Sequence, residues 1–484
     1  MVEVVLDAGT QTAWPLCHPG QPVVTARLHK TASRTVGRGG ACRGLLWHAA
    51  LVAAKPTPRA VTVTVEWLVA AAVGALVLLA SDWLVPPAQA PFGGHGQRFA
   101  EMAAHPFAFG ADAAAGGAVA PFPHRILWPL LAHIAGWFGI TPVGFTQVCS
   151  GALLAVVFWF CRGRRAAWLD ALLVTAAVAG SGAVLVYKAM ACYSDTLNLL
   201  LLLLAVHHVR RAWPFWALVL LGALSHELTL FFAPWLLWLR VQNGGAWRRD
   251  VLALAAVVGI YGGWRLLVNA LGGGAYSASY YFQNAFWVPW LLPALWFLLA
   301  LVVLAEFGPL LLLLAMDQRR GAAGMGGRIG AWLYLACIPP LCVFAYDVMR
   351  FATLLGLPLV LASVDLLRSM RARIVFTAVL AAQLAVYAWD HPVPGQQGGA
   401  TFTRVAGDMF ARVLLPGRVQ DRQSMAFADA VAVSRESWEL HWPTALGVVG
   451  LFGAIAALAW LLARYVGTAS EAGNAPRTRQ NASP

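Results

Sequence analysis

Residues 142–165 read PVGFTQVCSGALLAVVFWFCRGRR, and this stretch decides the fold class. About twenty residues without a charge are enough for one helix to cross the hydrocarbon core of a bilayer. The stretch then ends at Arg162, Arg164 and Arg165. Membrane proteins concentrate such cations in their cytoplasmic loops. The pattern therefore predicts a membrane-spanning helix whose carboxyl end faces the cytoplasm.

Apolar stretches of this kind recur along the 484-residue chain, which is 60% hydrophobic and 11% charged. Soluble domains are about a quarter charged. Backbone groups in lipid must be paired within the chain, so only helices or a closed barrel can span, and continuous apolar runs exclude a barrel. We predict an all-α polytopic bundle with about twelve crossings, short broken or re-entrant helices and an outer-face cavity. The predicted single spans are 65–85, 142–161, 168–187, 195–208, 251–269, 290–316, 329–346, 352–367, 373–389 and 442–464.

The net charge of +13 reports topology and not a nucleic-acid partner, because the arginines stand at the ends of apolar segments. Their placement predicts a multi-pass protein of the bacterial inner membrane with both termini in the cytoplasm. The seven cysteines form neither a disulfide framework nor a metal-ligand spacing. We therefore predict membrane lipid as a partner, and no metal or cofactor.

Residues 212–239 present a topological choice, since they are apolar except for Ser225, His226 and Glu227 at their centre. Arginines flank both ends, so a single crossing would place one arginine cluster outside. Two short helices with a turn at 225–227 keep both clusters inside. We favour this hairpin, with its turn within the membrane region.

The chain divides into four parts. Residues 1–62 are predicted as a disordered basic cytoplasmic tail, and 63–389 as the transmembrane core with an outer loop at 86–124. A half-buried helix is expected at 125–138, since that apolar stretch is too short to cross. Residues 390–441 form an outer, periplasmic segment with an interfacial helix. Residues 442–484 supply the last transmembrane helix and a cytoplasmic tail.

Charged and polar residues collect at the predicted outer ends of the helices. A charge at the bilayer centre costs about 2.5–3.5 kcal/mol on insertion scales, so such residues usually face a cavity or a partner. Their convergence on one face predicts an outward-opening site. The residues concerned are Glu101, Asp112, His124, Arg125, Lys188, Asp195, Glu227, Asp347 and Arg350.

Purely structural interpretations of these residues remain open. Ser194 and Asp195 precede an apolar run, as a helix cap and a first-turn acid would, and Ser225 and Glu227 could do the same for the second arm of the hairpin. Asp347 and Arg350, three residues apart, could pair on one helix face. Acids predicted on the inner side are interpreted as end caps or loop charges: Asp170, Glu306 and Asp365.

Four stretches resemble bacterial membrane glycosyltransferases of the GT-C type and their uncharacterised relatives. Residues 93–107 (GGHGQRFAEMAAHPF) look like their first outer loop, and 123–132 (PHRILWPLLA) like the helix that follows it. Residues 194–197 (SDTL) and 224–230 (LSHELTL) resemble later outer helix starts. The similarity covers roughly residues 65–370 in order and spacing.

The resemblance implies a transferase with its active site on the outer leaflet face. The donor would be a sugar on a polyprenyl phosphate, and the acceptor a glycan, a lipid or a protein. A carboxylate would act as general base, and cations would hold the leaving phosphate. The implied substrate-binding residues are Arg98, His124, Arg125, Lys188, Asp195, His226, Glu227, Asp347 and Arg350.

The base is the point at which this chain departs from the family pattern. Such proteins typically show an aspartate before a Gly-Gln pair, whereas this chain has His95. The expected catalytic residue is then Glu101 or Asp112, or His95 itself, or the chemistry has been lost. Two other classes therefore stay open: a transporter or flippase for a lipid-linked or polar solute, and a non-catalytic relative of the transferases.

Overall fold

The computed structural model describes residues 59–109, 122–273, most of 300–390 and scattered positions between 446 and 461. Within this part of the chain every regular element is a helix, which confirms the predicted all-α class there. The predicted N-terminal tail up to residue 58 and the outer segment over 391–441, with its interfacial helix, lie outside the described residues.

The described helices follow the predicted spans but are interrupted more often. Short 3₁₀ turns join several of them, notably Ser81–Trp83, Phe122–His124 and Thr353–Leu355. In chain order the α-helices are α1 (Arg59–Ala80), α2 (Gly93–Ala104), α3 (Leu127–Gly136), α4 (Pro142–Gly163), α5 (Trp168–Ala179), α6 (Gly182–Ala189), α7 (Asp195–His207), α8 (Ala212–Ser225), α9 (Leu228–Phe231), α10 (Ala233–Gln242), α11 (Trp247–Ala270), α12 (Leu311–Arg320), α13 (Gly327–Ala336), α14 (Ile338–Phe344), α15 (Val348–Ala352), α16 (Gly356–Leu366) and α17 (Met370–Asp390).

Among the described residues, three helical stretches are long and apolar enough to cross a membrane: Thr64–Trp83, Pro142–Gly163 and Trp247–Ala270. The count rises to four if α5 and α6 form one span, although they meet at 44°. The predicted span at 168–187 is thus two helices. A glycine at position 182 is required at this break, because a Cβ there would lie 2.5 Å from the Cβ of Glu306.

Helices α4 and α7 pack side by side in the same direction and define the two ends of the bundle. Near the start of both helices, the Cys192 amide donates to the Thr146 hydroxyl (2.9 Å). At their other end, the His207 ring lies 4.1 Å from the ring of Trp159. We call these the Asp195 end and the His207 end, after the first and last residues of α7.

Helices α8, α9 and α10 form the predicted hairpin. Arg240, near the end of α10, donates to the Val209 carbonyl just before α8 begins. At the turn, a Cβ on Gly222 would lie 2.8 Å from the Thr229 hydroxyl oxygen, so the two arms are in close contact. The predicted reversal of the chain at His226 is therefore confirmed.

Exposed aromatic side chains mark both ends of the bundle. Trp83 and Trp137 are 76% and 73% exposed at the Asp195 end. Trp168, Trp213 and Trp247 are 51%, 81% and 59% exposed at the His207 end. Membrane proteins carry such tryptophans at the two lipid–water interfaces.

The stretch predicted as a polar outer loop contains helix α2, which packs against the bundle. Its Phe99 ring is fully buried and meets the rings of Phe122 and Trp128 at 5.3 and 5.8 Å. A Cβ on Gly96 would lie 2.7 Å from the Ala191 carbonyl oxygen. Glycines lower intrinsic helix propensity, and tertiary packing overrides that preference here.

The close crossing of α1 and α4 gives a stability test. A Cβ on Gly74 would lie 2.7 Å from both the Ala155 amide nitrogen and the Gly151 carbonyl oxygen. We expect Gly74→Ala to lower the free energy of unfolding of the detergent-solubilised protein by about 1–3 kcal/mol. Gly259 in α11 has no neighbour within 4 Å of its Cβ position, so Gly259→Ala should be neutral or stabilise by up to about 1 kcal/mol. Equal unfolding temperatures for the two variants would contradict this packing.

Candidate functional site

The most open part of the site is an ion pair between Arg125 and Glu227. Arg125 Nε donates to Glu227 Oε2 at 2.8 Å, and Nη2 donates to Oε1 at 2.5 Å. Two parallel hydrogen bonds of this kind are the strongest form of an arginine–carboxylate contact. The side chains are 10% and 22% exposed, so this pair stands at the accessible edge of the site.

A second ion pair is closed off from solvent. Arg350 Nε and Nη2 donate to Asp195 Oδ2 at 3.1 and 2.6 Å. Both side chains are at most 5% exposed. The Tyr193 ring covers the guanidinium at 4.5 Å, which adds a cation–π contact.

His226 joins the two ion pairs. Its Nδ1 lies 3.5 Å from Glu227 Oε2, and its Nε2 lies 3.1 Å from Arg350 Nη2 and 3.9 Å from Asp195 Oδ1. The imidazole is 3% exposed. We call the five residues Arg125, Glu227, His226, Asp195 and Arg350 the buried network.

Separate segments of the chain deliver the members of the buried network. Arg125 follows the turn at Phe122–His124, and its amide donates to the Phe122 carbonyl (2.9 Å). Asp195 is the first residue of α7, Arg350 lies in α15, and His226 with Glu227 lies at the break between α8 and α9. The structure brings these residues together at the Asp195 end of the bundle.

The local backbone explains why each side chain points into the network. His226 is extended (φ −160°, ψ 128°), which ends α8 and frees the imidazole from the helix. The turn before α7 holds Cys192 at φ 69°, a rarely populated conformation for a residue with a Cβ. The hydrogen bond to Thr146 holds this turn in place. Ser194 occupies the N-cap position of α7 and Asp195 its first turn, as the capping interpretation has them, but the Ser194 side chain makes no cap hydrogen bond. Glu227 occupies the N-cap position of α9, also without a side-chain cap hydrogen bond.

Lys188 is one of the predicted substrate-binding residues, but in the structure its partners lie outside the buried network. Its ammonium is fully buried and donates to Ser81 Oγ (2.8 Å), the Leu78 carbonyl (3.4 Å) and Asp82. These contacts tie the end of α6 to the end of α1. Asp82 was not identified from the sequence as the partner of Lys188, although an acid near the end of the predicted span 65–85 could have indicated it.

Arg98 and Glu101 lie on the exposed side of α2. Arg98 Nη1 donates to Glu101 Oε2 (3.3 Å), and Gln97 Nε2 donates to Glu101 Oε1 (3.1 Å). The opposite side of α2 carries the buried Phe99. Glu101 thus bonds to side chains of its own helix, and the described contacts do not bring it to the buried network.

His124 lies beside Arg125 in sequence and contacts the end of α11. Its Nε2 is 3.2 Å from Asn269 Oδ1, a partner that sequence reasoning missed. Burial lowers the pKa of His124 from its usual value, despite the hydrogen bond to Asn269. The neutral imidazole is therefore favoured, which makes it a hydrogen-bonding group and not an anion-binding cation.

Three predicted residues cannot be placed. Asp112 and Asp347 lie outside the described residues, and of His95 only the backbone, in α2, is described. Arg350, which could have paired with Asp347, bonds to Asp195. Glu306, predicted as an end cap or loop charge, is instead fully buried against Gly182.

Over the described ranges, no group of three or more His, Cys, Asp or Glu side chains is arranged to hold a metal ion. Comparisons with known proteins give no family. The chain matches no protein-family model, no curated protein and no solved structure.

The closed ion pair is testable by a double-mutant cycle. Breaking a buried pair leaves one uncompensated charge and costs about 3–5 kcal/mol. We expect Asp195→Leu and Arg350→Leu each to lower stability by this amount, and the double variant to lose less than the sum. Thermal unfolding of the purified protein measures this.

Arg98→Leu serves as the matched control for the cycle. Arg98 and Glu101 are 44% and 31% exposed, so their pair should contribute only about 0–1 kcal/mol. Additive effects of the Asp195 and Arg350 substitutions would show that these two side chains are not coupled.

Proposed function

We propose that the chain is a polytopic protein of a bacterial inner membrane, with about twelve crossings and the Asp195 end on the outer face. Exposed tryptophans at both ends of the bundle support a transmembrane orientation. The positions of the arginines support placing the His207 end in the cytoplasm, because cytoplasmic loops are enriched in arginine and lysine. The arginines near the His207 end are Arg162, Arg164, Arg165, Arg210, Arg211, Arg240, Arg248 and Arg249.

Cysteine labelling in a cysteine-free background tests this orientation. Ala104 in α2 and Gln242 at the end of α10 are both exposed. A membrane-impermeant maleimide added to intact cells or right-side-out vesicles should modify Ala104→Cys and spare Gln242→Cys until the membrane is permeabilised. The reverse pattern would invert the proposed topology.

We propose further that the protein is a membrane glycosyltransferase that moves a sugar from a polyprenyl phosphate to a glycan, lipid or protein acceptor. The single observation that carries this proposal is the assembly of the buried network beside the accessible Arg125–Glu227 pair. Arginine binds phosphate bidentately, and a carboxylate can take a proton from an acceptor hydroxyl. Both groups stand together at the edge of the site.

The chemistry assigns one task to each group. The acceptor oxygen bonds to the anomeric carbon, the bond from that carbon to the phosphate oxygen breaks, and its electron pair stays on the phosphate. Arg125 stabilises the charge that develops there. The hydroxyl proton passes to a general base, a carboxylate or an imidazole. In this proposal Asp112 and His95 remain candidates beside Glu101, while Glu227 is the carboxylate nearest to Arg125.

The positive charge of Arg125 is balanced by the carboxylate of Glu227, and this sets a condition on phosphate binding. The buried network contains two guanidiniums and two carboxylates. A phosphate that binds Arg125 therefore competes with Glu227 for the guanidinium, and it adds negative charge to a poorly solvated site. A displaced Glu227 is left without its guanidinium, which favours uptake of a proton by this carboxylate.

Release of polyprenyl phosphate is a readout common to every such donor. The purified protein in lipid nanodiscs is incubated with lipid-linked sugars extracted from bacterial membranes, and free polyprenyl phosphate is measured by mass spectrometry. We expect time-dependent release that needs an added acceptor fraction. Binding of undecaprenyl phosphate without any release would favour the transporter, flippase or non-catalytic alternative.

The Arg125 substitution tests the phosphate contact. Lysine keeps the positive charge but cannot form two parallel hydrogen bonds, so Arg125→Lys should weaken the thermal stabilisation by undecaprenyl phosphate at least about tenfold in concentration. Undecaprenol, which lacks the phosphate, is the ligand control. Arg373→Lys, at the Asp170 pair, is the variant control. Unchanged binding in Arg125→Lys would remove Arg125 from the site.

A further inference from the structure

We propose that Glu227 accepts the proton of the acceptor hydroxyl, and that His226 passes it on to the closed carboxylate of Asp195. This inference rests on the proposed function and names the proton acceptor within it. It is carried by the position of His226 between an accessible and an inaccessible carboxylate.

Each ring nitrogen of His226 accepts one hydrogen bond while the other nitrogen lies near a carboxylate, and these two sets of contacts require different tautomers. In one set the Leu228 amide donates to Nδ1 (3.2 Å), so the ring proton is on Nε2, which faces Asp195 Oδ1 at 3.9 Å. In the other set Arg350 Nη2 donates to Nε2 (3.1 Å), so the proton is on Nδ1, which faces Glu227 Oε2 at 3.5 Å. A neutral imidazole carries one proton and cannot satisfy both sets together.

The surroundings of the ring favour its neutral form. His226 is 3% exposed, and burial disfavours a charged imidazolium. Among the described residues, the charged groups that face it are the guanidinium of Arg350 and the carboxylates of Glu227 and Asp195, with Arg125 bound to the far side of Glu227. Within this group of described residues the two positive and two negative charges balance.

A relay follows in which every proton is accounted for. Glu227 takes the hydroxyl proton and gives it to Nδ1 of the ring protonated on Nε2. The Nε2 proton then passes to Asp195. At the end Asp195 is neutral, His226 is protonated on Nδ1, and Glu227 is again a carboxylate.

Phosphate binding would switch Glu227 into this role. While Arg125 holds both carboxylate oxygens of Glu227, the guanidinium stabilises the charged form and makes it a poor base. A donor phosphate that takes Arg125 away from Glu227 would make the carboxylate more basic. Proton acceptance would therefore begin only when the donor is bound.

The tautomers can be measured without any substrate. Nitrogen-15 chemical shifts of labelled histidine distinguish Nδ1–H from Nε2–H, and His226→Gln assigns the resonance. We expect the wild-type protein to populate both tautomers. Glu227→Gln should favour the Nε2–H form and Asp195→Asn the Nδ1–H form, each by about tenfold, since the carboxylate that attracts the ring proton to its side loses its charge. A single tautomer that neither variant shifts would overturn the relay.

Activity then tests the proton acceptor itself. Glu227→Gln should bind undecaprenyl phosphate at least as well as the wild type, because a neutral amide competes less for Arg125, yet it should lose polyprenyl phosphate release by about a hundredfold or more. Glu101→Gln, with its exposed side chain, is the matched comparison. Release that survives in Glu227→Gln and disappears in Glu101→Gln would overturn this inference and leave the proposed function standing.

Failure of the proposed function has a different signature. A wild-type protein that neither binds undecaprenyl phosphate nor releases it would remove the transferase proposal and the role of Glu227 in it. The tautomer measurement does not depend on a donor. It therefore tests the link that His226 forms between Glu227 and Asp195 separately from the reaction.

Discussion

The ion pair between Asp195 and Arg350, with His226 beside it, is the contact on which the Asp195 end of the bundle depends. Both charges are almost fully buried, where an unpaired charge would cost several kcal/mol. Pairing them fixes the start of α7 against α15, although the two residues are 155 positions apart. It also fixes the break between α8 and α9, because the imidazole must reach both partners.

Close backbone contacts allow these polar groups to meet. Gly222 lets the two arms of the hairpin approach at Thr229, whose hydroxyl donates to Asn198 Oδ1 (2.5 Å) in α7. Gly96 lets α2 rest on the carbonyl of Ala191, just before the turn that presents Asp195. In lipid, where apolar burial between helices contributes little, such packing and interhelical hydrogen bonds hold helices together. The architecture of the candidate site is thus a consequence of the helix crossings.

Charge balance links the architecture to the proposed chemistry. A network with equal numbers of guanidiniums and carboxylates does not attract a phosphate by net charge. It can exchange partners at its accessible edge, where Arg125 and Glu227 meet. Such an exchange would connect donor binding to proton acceptance through one shared arginine. The same balance is also sufficient to hold the fold, and for this reason binding, release and tautomer populations have to be measured separately.

The sequence by itself determined the helical class, the apolar stretches, the chain reversal at His226 and the set of polar residues expected at one end. These follow from local composition and from arginine placement, which adjacent residues specify. It did not determine which charges pair. Arg350 could have paired with Asp347, three residues away, and instead bonds to Asp195, while Glu227 bonds to Arg125 and not to its own helix terminus. Tertiary structure decided this, because the partner of a buried charge is the nearest opposite charge in space, and helix packing brings together residues more than 100 positions apart.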